Sequence, residues 1–93
     1  MYILVQHTIS DPATTWPRAQ AALPSLPAHL KLHHSIPTPD GRTAVCVWEA
    51  DSIDKLKTYL DPMLGPAAQN TYVEVVNKEG VALPTALQPV LAK

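Results

Sequence analysis

Two adjacent histidines, His33 and His34, and the single cysteine, Cys46, are the residues whose types and spacing point most directly to chemistry in this chain. They lie on either side of the turn sequence PTPDG, residues 37–41, which predicts a β-hairpin with the histidines on one arm and the thiol on the other. Imidazole and thiolate ligands together suit nickel, copper or zinc. The hairpin therefore indicates a candidate site for a divalent transition metal at His34 and Cys46.

Strand alternation decides which histidine belongs to that site. Successive strand residues point to opposite faces, so both imidazoles can enter one site only if a bulge intervenes. In a regular strand, His34 shares a face with Leu32 and Ile36. We therefore expect His34 to be enclosed and to lie opposite or diagonal to Cys46. The alternative is a half-buried histidine bonded to a backbone carbonyl, with Cys46 as a small apolar filler.

Four further residues are candidates for the same pocket. His7 ends the first predicted strand and could be a third metal ligand or a general acid or base, or else a solvated strand end. Glu74, on the last predicted strand, could be a buried acid or ligand, or a charge at the sheet edge. Trp48 and Tyr72 could be pocket walls or ordinary core residues. A nucleotide cofactor is not expected, because the sequence contains no glycine-rich phosphate loop.

Four strands and two helices must position these residues. A nearly continuous apolar run predicts a central strand at 2–8 that is covered on both faces. Apolar alternation and turn residues predict further strands at 29–36, 43–50 and 71–77. One helix is expected from a Thr15 cap to the prolines at 24 and 27, and another from Asp51 or Ser52 to Pro62. The order β-α-β-β-α-β predicts an α+β, ferredoxin-like fold with a four-stranded antiparallel sheet, both helices on one face, and the first and third strands in the middle.

One face of that sheet would be bare, and a second copy could cover it. We therefore expect a homodimer that closes a dimeric α+β barrel. Residues 1–80 form the ferredoxin-like domain in this interpretation. The apolar tail, residues 81–93, is expected to pack on the domain or on the partner subunit.

Composition narrows the range of partners and places. The formal net charge of −1 and the 16% of charged residues leave no basic patch for nucleic acid. No apolar run is long enough to span a membrane, and the opening residues do not form a signal sequence. A single cysteine cannot make an internal disulfide, which suits a reducing compartment. These features favour a cytoplasmic protein that binds neither nucleic acid nor membrane.

The run His34-Ser35, a short turn and then TAVCVWEA, residues 43–50, resembles a known family. It is similar to the small ferredoxin-like proteins of the DUF4242 type, the nickel-binding-protein-like group within the dimeric α+β barrel superfamily. The resemblance extends from about Leu32 to Val76. It implies a homodimer with a polar pocket inside the barrel and, in some members, transition-metal binding.

Three functions remain open on these grounds. The first is a small binding protein that holds a metal or small ligand through His34, Cys46 and His7. By analogy of fold with other dimeric α+β barrels, the second is a cofactor-free isomerase, dehydratase or monooxygenase acting on a small cyclic substrate. The third is a dimerisation scaffold with a filled interior. A cavity of roughly 300 Å³ or more beside an acid–base group favours the enzyme, whereas imidazoles converging within about 4 Å of one point favour the metal.

Overall fold

The computed structural model describes residues 1–76. It confirms the predicted α+β class, the β-α-β-β-α-β order and a four-stranded antiparallel sheet of the ferredoxin-like type. The expected domain limit at residue 80 and the tail 81–93 lie outside the described residues. The elements are β1 (Tyr2–Ile9), α1 (Pro12–Ala22), β2 (Lys31–Pro37), β3 (Thr43–Glu49), α2 (Ile53–Leu64) and β4 (Ala68–Val75), with one turn of 3-10 helix at Leu23–Ser25.

The sheet order β2-β3-β1-β4 confirms that the first and third strands are central. Along β1, Ile3, Val5 and His7 are buried, while the residues between them are more exposed. The core lies on the side of the buried residues, which we call the helix face, and it includes Trp48 and Leu56. The opposite side, which we call the open face, carries the alternate side chains. Every strand residue can therefore be assigned to one face by its register.

Both helices extend further than the sequence predicts. The first begins at Pro12 rather than at Thr15, because proline suits the first helical position and the carbonyl of Asp11 accepts the first backbone N–H bonds. The second passes through Pro62 and ends at Leu64, before Gly65 at a φ of 82°. Leu64 is buried, so apolar burial offsets the backbone hydrogen bond that proline cannot donate. Within residues 1–76, no helix is long and apolar enough to cross a membrane.

A β-bulge in β2 overturns the predicted face of His34. Leu32 pairs with Trp48, but the next pair is His34 with Val47, so that His33 is an extra residue in the strand. Two residues of β2, His33 and His34, then oppose one residue of β3, and the two histidine side chains point to the same side of the sheet. His33 accordingly contacts Glu49, which is on the open face. Both histidines lie on the open face, and the prediction that His34 faces Cys46 is wrong.

Candidate active site

A cavity of about 640 Å³ lies between α1, the helix face of the sheet and the turn of the β2–β3 hairpin. Its wall is mainly apolar, and the chain's two tryptophans, Trp16 and Trp48, both belong to it. The polar groups that converge on it include His7, Ser35 and Cys46. A cavity of this size and character is typical of a small-molecule site.

His7 is the titratable group best placed in this cavity. Its side chain is buried, with 3% of the residue exposed, and its Nδ1 lies 2.6 Å from Oδ1 of Asn70, its cross-strand neighbour on β4. Burial lowers the pKa of His7 below the ordinary value of 6.5, and the hydrogen bond with Asn70 only partly opposes this effect. The imidazole is therefore neutral at physiological pH and can accept a proton.

Asn70 is held in turn by Asp61, at the end of α2. The Asn70 Nδ2 donates to Oδ1 of Asp61 at 2.9 Å, and the Tyr72 hydroxyl donates to the same oxygen at 2.6 Å. Partial burial raises the pKa of Asp61, but the two hydrogen bonds and the charge of Lys57 outweigh it, and the net shift is downward. Burial and this carboxylate raise the pKa of Tyr72. Asp61 is thus ionised and Tyr72 remains a donor.

Cys46 borders the same cavity, but its thiol is not activated. Burial raises the pKa of its thiol, and the hydrogen bond with Ser35, at 3.4 Å between Sγ and Oγ, opposes this only in part. The thiolate, which is the nucleophile and the metal ligand, is therefore disfavoured at neutral pH. Cys46 contributes to the apolar core beside Val5 and Trp48.

The hairpin turn is tied to α1 at one edge of the cavity. Trp16 Nε1 donates to the carbonyl of Gly41 at 2.9 Å. Gly41 has a φ of 73°, and a Cβ at this position would lie 2.8 Å from the same nitrogen, so both the backbone and the contact require glycine. The bond closes the wall between helix and turn.

Trp16→Phe should therefore destabilise the protein by about 0.5–1.5 kcal/mol, the usual value of one hydrogen bond, while the aromatic ring is retained. Urea unfolding measures this as a lower midpoint with an unchanged slope. An unchanged midpoint would show that the bond to Gly41 does not stabilise the closed wall.

Of the six residues singled out in the sequence, three border the cavity and three do not. His7, Cys46 and Trp48 border the cavity on the helix face. Tyr72 is also on this face but contacts Asp61. Glu74 is exposed on the edge strand β4, and His34 is on the open face, paired with Val47.

The three proposed metal ligands do not converge. The sheet separates His34 from His7 and Cys46, and no group of three His, Cys, Asp or Glu side chains within residues 1–76 is arranged to hold a metal ion. One mononuclear site made of these three side chains does not fit the geometry. Binding of nickel, zinc or copper as such stays a prediction.

No family model, curated protein or solved structure matches the chain significantly. The resemblance to the DUF4242 group therefore stays a prediction as well. Function must be inferred from the site itself.

Sequence reasoning missed Asn70, Asp61 and Trp16. Two of them carry a signal in hindsight. Asparagine is depleted in strands, yet Asn70 lies inside β4. An acidic residue in the last turn of a helix opposes the helix dipole, yet Asp61 occupies that position in α2. Residues that break a local preference in this way indicate a role in a site.

Proposed function

We propose that this protein is a cofactor-independent acid–base enzyme that binds a small, predominantly apolar molecule between α1 and the sheet, with His7 as its general base. One observation carries the proposal: a buried, neutral imidazole borders a cavity of about 640 Å³. Its Nδ1 is engaged by Asn70, which leaves Nε2 for a bound molecule. This is the arrangement that general-base catalysis requires.

The charges around the cavity favour a neutral substrate. None of the described residues that border it is lysine or arginine, so no cation is present there to bind a carboxylate or phosphate. Asp40 lies at the hairpin turn, and hydrogen bonds from the Arg42 backbone and from Thr38 lower the pKa of its carboxyl group. This exposed carboxylate gives the rim of the cavity a negative group and no positive one among the lining residues. The substrate that fits this lining is a neutral, predominantly apolar molecule with one proton that His7 can remove.

A model reaction tests this chemistry without requiring that the natural substrate be known. In nitrobenzisoxazole, a base removes the ring C–H proton and the C–H electron pair forms the nitrile. The N–O bond breaks with its electron pair going to oxygen, so that the ring opens to a coloured cyanonitrophenolate. His7 would take the proton at Nε2 and return it to water. The probe is neutral, planar and apolar, as the cavity requires. We expect saturable acceleration of this elimination above the rate in buffer alone.

Blocking the cavity should abolish that acceleration. Ala19 faces the cavity from α1, whereas Ala21 on the same helix is exposed. Ala19→Phe is expected to lower kcat/KM for the elimination at least about tenfold, equivalent to about 1.4 kcal/mol, because its ring occupies the binding volume. Absorbance of the phenolate measures the rate, and quenching of Trp16 and Trp48 fluorescence measures binding of the probe.

Ala21→Phe is the matched control and should behave as the wild type. Equal rates for both variants, or no acceleration by the wild type, would contradict a catalytic site in this cavity. Fluorescence quenching without elimination would contradict catalysis and support the binding protein instead.

We further propose that the functional unit is a homodimer joined through the open face. A row of apolar side chains crosses this face in register, Val73 on β4, Leu4 on β1 and Val47 on β3. Val73 is 51% exposed and Ile36 is 63% exposed, so both edge strands present apolar side chains to solvent on this face. A second copy would cover the apolar row, as the resemblance also implies.

A further inference from the structure

A chain of side-chain hydrogen bonds connects α2 to the candidate base. It runs from the Asp61 carboxylate to the Asn70 amide at 2.9 Å, and from the amide oxygen to Nδ1 of His7 at 2.6 Å. Asn70 and His7 are directly paired across β1 and β4, while Asp61 reaches them from the helix above. The Asn70 amide therefore connects α2 to β1 through side-chain hydrogen bonds.

The donors and acceptors in this chain allow one arrangement. An ionised carboxylate can only accept hydrogen bonds, so the NH₂ group of Asn70 must point to Asp61. The amide oxygen of Asn70 then points to His7, and an oxygen can only accept. Nδ1 of His7 must therefore carry the proton, which leaves the electron pair on Nε2. The acceptor oxygen Oδ1 of Asp61 thus determines the tautomer of a ring that it does not touch.

The site uses an amide between carboxylate and imidazole, and the contrast with the open face shows why. There, His33 Nε2 lies 3.0 Å from the Glu49 carboxylate, and this hydrogen bond lowers the pKa of Glu49. A carboxylate in direct contact with an imidazole brings a full negative charge beside the ring. At His7 the interposed amide fixes the ring orientation without placing a full charge beside it. The ring stays neutral, as a base must.

Asp61 and Asn70 are both residue types that are unfavourable at their positions in the secondary structure. Asp61 is an acid in the last turn of α2, where the helix dipole disfavours negative charge, and Asn70 is an asparagine inside a strand. The Tyr72 hydroxyl supplies a second donor to the carboxylate at 2.6 Å. Asp61, Asn70 and Tyr72 thus provide hydrogen-bond partners for one another, and Asn70 provides one for His7.

We propose that Asp61, acting through Asn70, is a positioning residue that fixes His7 as the tautomer with the proton on Nδ1 and the electron pair on Nε2. The significance of this control for catalysis rests on the proposed function of His7 as the base. The tautomer itself can be measured in the ligand-free protein.

Two-bond proton–nitrogen NMR correlations of the His7 ring distinguish the tautomers. In the wild type, we expect the Nδ1-protonated form. In Asp61→Leu the amide of Asn70 loses its anchor, and we expect the ring to shift mainly to the Nε2-protonated form that histidine prefers in water. The elimination kcat should fall by the same factor as the Nδ1-protonated fraction, with KM unchanged. Asp61→Asn retains an acceptor oxygen and should restore both readouts.

Two further variants keep this test decisive. Asn70→Ala interrupts the same path at its middle residue, so it replaces Asp61→Leu if that variant fails to fold. Asp54→Leu makes the same substitution at the exposed start of α2 and should leave the tautomer unchanged.

An Nε2-protonated His7 in the wild type, or an unchanged tautomer in both Asp61→Leu and Asn70→Ala, would overturn the positioning role, whatever the elimination rate. The proposed tautomer and its shift, found in a protein that does not accelerate elimination, would confirm the positioning role and reject the enzyme.

Discussion

Replacing His7 with glutamine is expected to lower kcat for nitrobenzisoxazole elimination by about 10²–10⁴-fold, the range that a positioned general base contributes. Glutamine can still donate a hydrogen bond to Asn70 and occupies a similar volume, but it has no basic nitrogen for the cavity. KM should change little, because apolar contacts in the wall provide most of the binding. Initial rates at saturating probe measure the effect.

The pH profile provides a second readout of the same group. Because the pKa of His7 is lowered, mainly by burial, the imidazole is neutral at neutral pH and becomes protonated only below its ordinary value of 6.5. We expect kcat/KM to be constant at neutral pH and to fall as pH decreases through the lowered pKa. The probe does not titrate in this range, so the profile reports the protein.

His29 offers the matched control, since it is an exposed histidine that does not border the cavity. His29→Gln should retain the wild-type rate and pH profile. A His7→Gln variant with native circular dichroism and an undiminished rate would refute His7 as the base.

Much of the fold was accessible from the sequence because its strands carry strong local signals. Residues 2–5 of β1 are all apolar, and Val45, Val47 and Trp48 in β3 are residue types that favour strands. Proline and glycine in the turn at 37–41 define the hairpin. Strand order then followed from the handedness of crossovers.

The bulge at His33 was not accessible in the same way. The sequence Leu-His-His-Ser is compatible with a regular strand or with one extra residue, and the difference lies in the pairing with β3. Glu49 on that strand accepts a hydrogen bond from His33 on the open face. An extra residue inverts every later side chain relative to a regular strand, so the bulge places His34 on the open face. For this reason His34 does not face Cys46, the neighbour predicted from the sequence.

The candidate site was predicted in part. His7 was identified as a possible acid or base from its residue type and its place at a strand end. Its partner Asn70 is 63 residues away along the chain, and Asp61 comes from a helix that was expected to end there. Such contacts depend on register and helix length, which local preferences do not determine. The chemistry of one residue was therefore predictable, but its control by two others was not.

The second large effect concerns the open face, where Leu4→Glu should convert a dimer to a monomer. Leu4 is the middle of the apolar row, paired with Val47 on one side and Val73 on the other. A twofold interface would bury the new carboxylate twice and without a partner. We expect the dimer to weaken by at least about 4 kcal/mol, or about 10³-fold in Kd.

Sedimentation equilibrium over a range of concentrations measures this change directly. The wild type should have twice the 10.1 kDa mass of one chain, and Leu4→Glu should have the mass of one chain. Thr58→Glu places the same charge on the exposed side of α2 and should remain dimeric. Leu4 is only half-buried within one chain, so the Leu4→Glu monomer should keep its fold and its His7 cavity. A monomeric wild type, or an unaffected dimer in Leu4→Glu, would show that a second copy does not cover this face.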